Sequence, residues 1–139
     1  MNRTELQWLA NERIAESEIL LAAEKWSGAY YLGGYAVECA LKACICKLTK
    51  VDEFPDKDFA ASCWSHKLEP LLELAGLAKA LAADFGGDPK HPLRLNWKTV
   101  SQWNEKRRYE AISKGWAEEL VAAITDQENG MLTWLKRRW

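Results

Sequence analysis

The chain has no apolar run that approaches the roughly 20 residues needed to cross a bilayer. The longest, residues 36–46, is interrupted by Glu38 and Lys42. The opening Met-Asn-Arg-Thr-Glu lacks the basic-then-apolar order of a secretory signal, so the expectation is a soluble, cytoplasmic protein with no membrane partner. Proline and glycine are scarce, four and eight of 139 residues, which excludes collagen-like and low-complexity chains. No segment alternates apolar and polar residues as a strand does. An excess of one charge is missing too. Nineteen Lys and Arg face 20 Asp and Glu, for a net charge of −1, so no overall field draws a nucleic acid. Histidine occurs only at His66 and His91, and no Cys-x-x-Cys pair exists. Cys39 and Cys46 share a helical face about 10 Å apart along the axis, beyond disulfide reach, and Cys44 and Cys46 point to different faces. Reduced thiols packed as small apolar side chains follow, with no metal and no cofactor.

What is present reads as helix. With 48% apolar and 28% charged residues, residues 1–139 form one domain able to bury about two-thirds of its unfolded surface. Thr4 and Gln7 make a capping-box pattern opening a helix that runs to about residue 24, with Leu6, Ala10, Ile14 and Leu21 on one side. Ser27 reads as the N-cap of a second helix over residues 28–48, with Trp26 stapled onto Tyr31. Small and aromatic residues on nearly all sides mark that helix as central. Gly33-Gly34 inside it cost about 1 kcal/mol each against alanine, so something must approach the backbone closely.

Residues 50–64 read as a loop broken by Pro55. A third helix spans residues 65–76, with Leu68, Leu71, Leu72 and Ala75 inward and Gly76 as its stop. A short turn over 78–84 and a breaker at 86–92 follow. Asn96 caps a short helix, and residues 105–111 look irregular. A last long helix starts at Ser113 with Trp116, Leu120, Val121 and Ile124 inward, is interrupted at Asn129-Gly130, and is followed by a terminal turn. The eight tryptophans are expected mostly in the core, with Trp139 serving an interface instead. The fold class is all-α, an antiparallel four-to-five-helix up-and-down bundle.

Two features bear on function. Residues 1–90 hold 10 basic and 14 acidic groups (net −4), whereas residues 91–139 hold 9 and 6 (net +3). The basic excess lies in Lys106-Arg107-Arg108 and Lys136-Arg137-Arg138, either helix-end complements or a local phosphate-binding patch. Tyr31, Tyr35, Glu38 and Lys42 recur at spacings of four, three and four, one stripe of the second helix. Glu38 there needs a partner. Arg107 or Arg108, with Tyr109 beside them, is the expected donor. The cluster then either locks the bundle or lines a cleft for a nucleotide or RNA phosphate. His66 reads first as a cap or hydrogen-bond partner.

The segment Trp26-Ser-Gly-Ala-Tyr-Tyr-Leu-Gly-Gly-Tyr-Ala-Val-Glu-Cys-Ala-Leu-Lys-Ala resembles the second helix of the HEPN family, small helical bundles named for nucleotide binding in higher eukaryotes and prokaryotes. The resemblance continues through His66-Lys-Leu-Glu-Pro-Leu-Leu-Glu-Leu-Ala-Gly-Leu77, Trp103, Arg108-Tyr109-Glu110 and Trp134-Leu-Lys-Arg-Arg-Trp139, and so covers nearly the whole chain. Many members are metal-free ribonucleases whose arginine, four to six residues before a histidine, forms a composite site across a homodimer. This chain departs from that pattern. The required positions hold Phe59, Ala60 and Ala61 before His66, and Asp84, Phe85 and Gly86 before His91. The resemblance therefore implies a non-catalytic homodimeric module that binds a nucleotide or a partner protein, such as a small nucleotidyltransferase in a toxin–antitoxin or stress-response pair. The alternative is a divergent metal-independent ribonuclease using His66 or His91 with Arg107 or Arg108. No Gly-rich loop with a following Lys-Ser/Thr is present to cradle phosphate.

Overall fold

In the computed structural model, which describes residues 1–54 and 56–139, the first helix begins at Asn2 rather than at Thr4. Asn2 accepts from the Glu5 amide and the Glu5 carboxylate accepts from the Asn2 amide. This reciprocal box satisfies two of the free amides of the first turn, and α1 runs Arg3–Ala22. A three-residue turn reverses the chain into α2 (Trp26–Cys46), which starts two residues earlier than the sequence reading and has no side-chain cap. Ser27 is not that cap. Its hydroxyl accepts from the Ile112 amide, 85 residues away, at 3.0 Å. Ser17, wholly buried on α1, donates to the Ala29 carbonyl at 2.6 Å and ties the hairpin together.

Residues 50–64 are not all loop. Asp56 accepts from the amides of Asp58 and Phe59 and opens α3 (Lys57–Cys63); Pro55 lies outside the described residues. Next come α4 (Leu68–Leu74) and α5 (Ala78–Asp84). Between these two, Gly76 adopts φ +69°, the left-handed geometry that ends a helix cheaply only at glycine. His91, not Asn96, caps α6 (Pro92–Ser101), its Nδ1 accepting from the Leu93 amide at 3.1 Å. Asn96 sits inside α6 and donates to the Asn129 carbonyl. A 3-10 helix covers Glu105–Tyr109. Ser113, near which the sequence reading starts the last long helix, caps α7 (Lys114–Thr125), and α8 (Met131–Lys136) follows.

The described residues are thus all-helical, with eight α-helices and one 3-10 helix and no strand. Four helices have ten residues or more and the rest six or seven, so the chain is more finely broken than a four-to-five-helix reading supposes. α2 is the axle: α1, α4, α7, α8 and the 3-10 helix all pack against it, and Ala36, Val37, Ala40, Leu41 and Ala43 on it are fully buried. None of the helices described is long and apolar enough to cross a membrane. The tryptophans divide. Trp97, Trp103 and Trp134 are core, Trp26 and Trp139 are half-buried, and Trp8, Trp64 and Trp116 are exposed, so Trp116 does not face inward.

Gly34 shows why α2 tolerates its glycine pair. The indole of Trp103 lies directly on it, and a Cβ at Gly34 would fall among the ring atoms Cδ1, Cγ and Cδ2. The close approach that the sequence demanded is therefore an aromatic ring arriving from the end of α6.

Candidate functional site

The α2 stripe does converge, but on a different partner. Glu38 is 3% exposed at its side chain. One oxygen, Oε1, accepts from Lys42 Nζ at 2.9 Å, one turn on, and from His66 Nδ1 at 2.9 Å. The other oxygen, Oε2, is buried with no hydrogen-bond partner. A carboxylate oxygen only accepts, so His66 Nδ1 carries the hydrogen, and the neutral ring then presents Nε2 as an acceptor. His66 lies between α3 and α4, where Ser65 Oγ accepts from the Lys67 amide and fixes the bend. The His66 side chain is half exposed, at 51%, and that of Lys42 is 20% exposed. The result is an imidazole anchored from below and open to ligand from above.

Neither Arg107 nor Arg108 reaches Glu38, contrary to the sequence expectation. Seven residues separate Tyr31 from Glu38, about 10 Å along a helix, and Trp103 fills the surface above Gly34 between them. The 3-10 helix that follows Trp103 therefore meets the Tyr31 end of the stripe. Arg107 donates to Glu110 at 2.6 Å and lies 5.4 Å from the Trp116 ring centroid. The Glu110 bond pushes its guanidinium pKa up. Arg108 lies 4.8 Å from the Tyr109 ring, and hydrogen bonding to the Tyr109 hydroxyl, then to that of Tyr31, raises its pKa. Tyr31 stacks on Tyr35 at 6.3 Å with rings 6° apart, and tilts against Trp103 at 5.9 Å. Burial raises the Tyr35 phenol pKa, and the neighbouring Cys39 and Glu38 add to the shift.

One face of the molecule thus carries Arg108, Tyr31, Tyr35, Glu38, Lys42 and His66 in sequence. Its aromatic middle separates a guanidinium at one end from the imidazole–ammonium pair at the other. His91 has no part in it; its Nδ1 is committed to capping α6. Tyr109 projects away from the bundle and is 77% exposed. His66 as the partner of Glu38 was not legible because the two are 28 residues apart across a segment with no periodic signal. The one available clue was a histidine placed immediately before an apolar helix.

Chemically the face can hold an anion at Lys42 and His66. Among the described residues, no group of three or more His, Cys, Asp or Glu side chains is placed to hold a metal ion. The cysteines are free. Burial pushes the Cys39 and Cys44 thiols up to about 11, which leaves them protonated and poor nucleophiles at neutral pH. No family model, no curated protein and no solved structure matches the chain.

Proposed function

We propose that the chain is a HEPN-like helical module that binds a nucleotide on the α2 face without cleaving nucleic acid. The observation that carries this reading is the fixing of His66 by buried Glu38, which turns Nε2 outward beside the Lys42 ammonium. Against one buried carboxylate stand one permanent cation and one imidazole. Lys42 Nζ donates a charge-assisted hydrogen bond to a phosphate oxygen. His66 Nε2 accepts from a phosphate hydroxyl or, when the ring carries a second proton, donates to a bare phosphate oxygen. The Tyr31–Tyr35 pair beside them offers an aromatic surface to a base. The central, glycine-bearing α2 with helices packed around it suits a HEPN-like bundle. In this reading the module works as a homodimer and alongside a partner protein such as a small nucleotidyltransferase, in a toxin–antitoxin or stress-response pair in the cytoplasm.

Non-catalytic binding is favoured over cleavage because neither candidate arginine is placed at His66: Arg107 is held by Glu110 and lies over Trp116, and Arg108 lies over Tyr109. A second reading has one observation in its favour. A carboxylate-held imidazole is the arrangement that lets Nε2 accept a proton as a general base, which would make His66 the base of a divergent ribonuclease, with Arg108 the weaker candidate. Calorimetric titration with ATP separates the two readings when paired with an RNA cleavage assay in chelator. Binding that is lost in His66→Ala and Lys42→Met, with RNA left intact, supports the module. Cleavage that disappears in His66→Ala establishes the ribonuclease instead.

A further inference from the structure

A second surface adjoins the Arg108 end of the α2 face, at the corner where the 3-10 helix meets the start of α7. Cations and aromatic rings alternate there. Arg107 lies 5.4 Å from the Trp116 ring centroid, Arg108 lies 4.8 Å from that of Tyr109, and Lys114 lies 5.7 Å from that of Trp26. Cation–π pairs occur about once per 70–80 residues in folded proteins. Among the described residues, residues 107–114 supply the cation in three of the five such contacts, the other two being Lys136 over Trp139 and Arg138 over Trp134. The rings are also open. Tyr109 is 77% and Trp116 49% exposed, and Tyr30 lies 6.4 Å from Trp116 in a tilted arrangement. Arg107 is accounted for by Glu110, and Lys114 comes within 3.8 Å of Glu118. Among the described residues, Lys106 and Arg108 have no carboxylate within ion-pair distance. At Trp26 an open groove of about 340 Å³ is lined also by Glu24, Lys25, Ser27, Gly28 and Ile112.

We propose that this corner is a stacking platform for single-stranded nucleic acid, with bases on Tyr109 and Trp116 and phosphates on Lys106, Arg108 and Lys114. Exposed rings alternating with cations match the two terms of such binding, sequence-tolerant base stacking and backbone neutralisation. A duplex hides the faces that the rings would use. An anionic bilayer also attracts Lys, Arg, Trp and Tyr, and vesicles are therefore a separate arm of the test. The inference goes beyond nucleotide binding on α2 and shares only Arg108 with that face; the variants that test it, at Tyr109 and Trp116, are distinct from His66 and Lys42, so the two fail separately.

The test is fluorescence anisotropy with labelled oligo(U) and oligo(dT) of about 15 nucleotides, a duplex of the same length, and vesicles containing anionic lipid. Stacking is worth about 1–3 kcal/mol per base, a factor of about 5–150. Tyr109→Ala and Trp116→Ala should each weaken single-strand binding at least about 5-fold by this measure. Tyr109→Phe and Trp116→Phe should retain most of it, and raising salt should weaken all of these complexes. Tyr109 is exposed, so its alanine variant is not expected to unfold, and circular dichroism checks Trp116→Ala. A preference for either strand, or none, supports the platform and reports whether the ribose hydroxyl takes part. The proposal is overturned by absence of single-strand binding, by alanine variants that bind as wild type does, by equal duplex affinity, or by binding to vesicles alone. Strand binding lost in His66→Ala but kept in Tyr109→Ala would move the ligand to the α2 face and likewise overturn it.

Discussion

Replacing Glu38 by glutamine removes one charge from the interior while leaving the shape of the side chain nearly unchanged. Both of its hydrogen bonds use Oε1, so an amide oxygen can keep them: the His66 bond becomes neutral, while the Lys42 bond keeps its charged donor but loses the ion pair. Charge-assisted bonds contribute about 1.5–3 kcal/mol and neutral ones about 0.5–1.5, so the His66 bond loses about 1 kcal/mol, and loss of the Lys42 ion pair costs up to about 1 kcal/mol more. The new amide nitrogen lands where Oε2 lies buried without a partner, which adds a desolvation penalty of about 1 kcal/mol. Solvent reduces the total, because the His66 side chain is 51% and that of Lys42 20% exposed. The estimate is a loss of about 2–3 kcal/mol, below the roughly 3–5 kcal/mol of a fully buried broken pair. At this chain length that corresponds to a fall in Tm of about 6–12 °C. Thermal melts followed by circular dichroism, with urea titrations as a check on the slope, measure it. Glu38→Leu with Lys42→Met should recover most of the loss, because both members of the ion pair are then apolar. A Glu38→Gln protein that melts within about a degree of wild type would refute this reasoning, since a drop of that size equals a fraction of 1 kcal/mol.

Three further outcomes follow from the packing. Gly34→Ala should destabilise by about 2 kcal/mol or more, because Trp103 must leave its seat, whereas Gly115→Ala on α7, with nothing within 4 Å of the added carbon, should stabilise by about 0.5–1 kcal/mol; paired urea melts decide it. His91→Ala removes the cap of α6 and should lower stability by about 1 kcal/mol without changing ATP binding, the reverse of the pattern expected for His66→Ala. Burial raises the Cys39 and Cys44 thiols from the ordinary value of 9.0 to about 11. The neutral thiols are therefore favoured in the folded state, and their contribution is fully present below about pH 9 and lost as pH rises towards 11. Alkylation at pH 8 should be slow in the native protein and fast in urea, and equal rates would contradict the burial.

The central helix could be read from sequence because its signal is local: small and aromatic residues on every side of α2, and a glycine pair that needs a close neighbour. Gly34 under Trp103 answers that need. Cap positions were harder because several side chains satisfy the same pattern. Thr4 with Gln7 and Asn2 with Glu5 both read as capping boxes, and only the backbone selects Asn2. α3 was hidden because charged residues around Asp56 look like loop until Asp56 is seen capping Asp58 and Phe59. In the candidate site, helical periodicity assembled Tyr31, Tyr35, Glu38 and Lys42 correctly as one stripe. It could not supply His66, whose placement depends on how the α3–α4 segment folds back over α2. It also favoured Arg107 and Arg108 for Glu38 on charge alone, when the indole of Trp103 stands between the two ends of the stripe.

The central claim is that Glu38 holds His66 with Nε2 free to meet a phosphate. Imidazole-selective ¹H–¹⁵N spectra of the protein with and without ATP test it most directly. The neutral His66 ring should show the Nδ1–H tautomer, lose that preference in the Glu38→Leu, Lys42→Met double variant, which offers Nδ1 no acceptor, and move its Nε2 resonance on adding ATP while His91 stays still. An Nε2–H tautomer in the wild type, or a His66 signal indifferent to both the double variant and ATP, would contradict it.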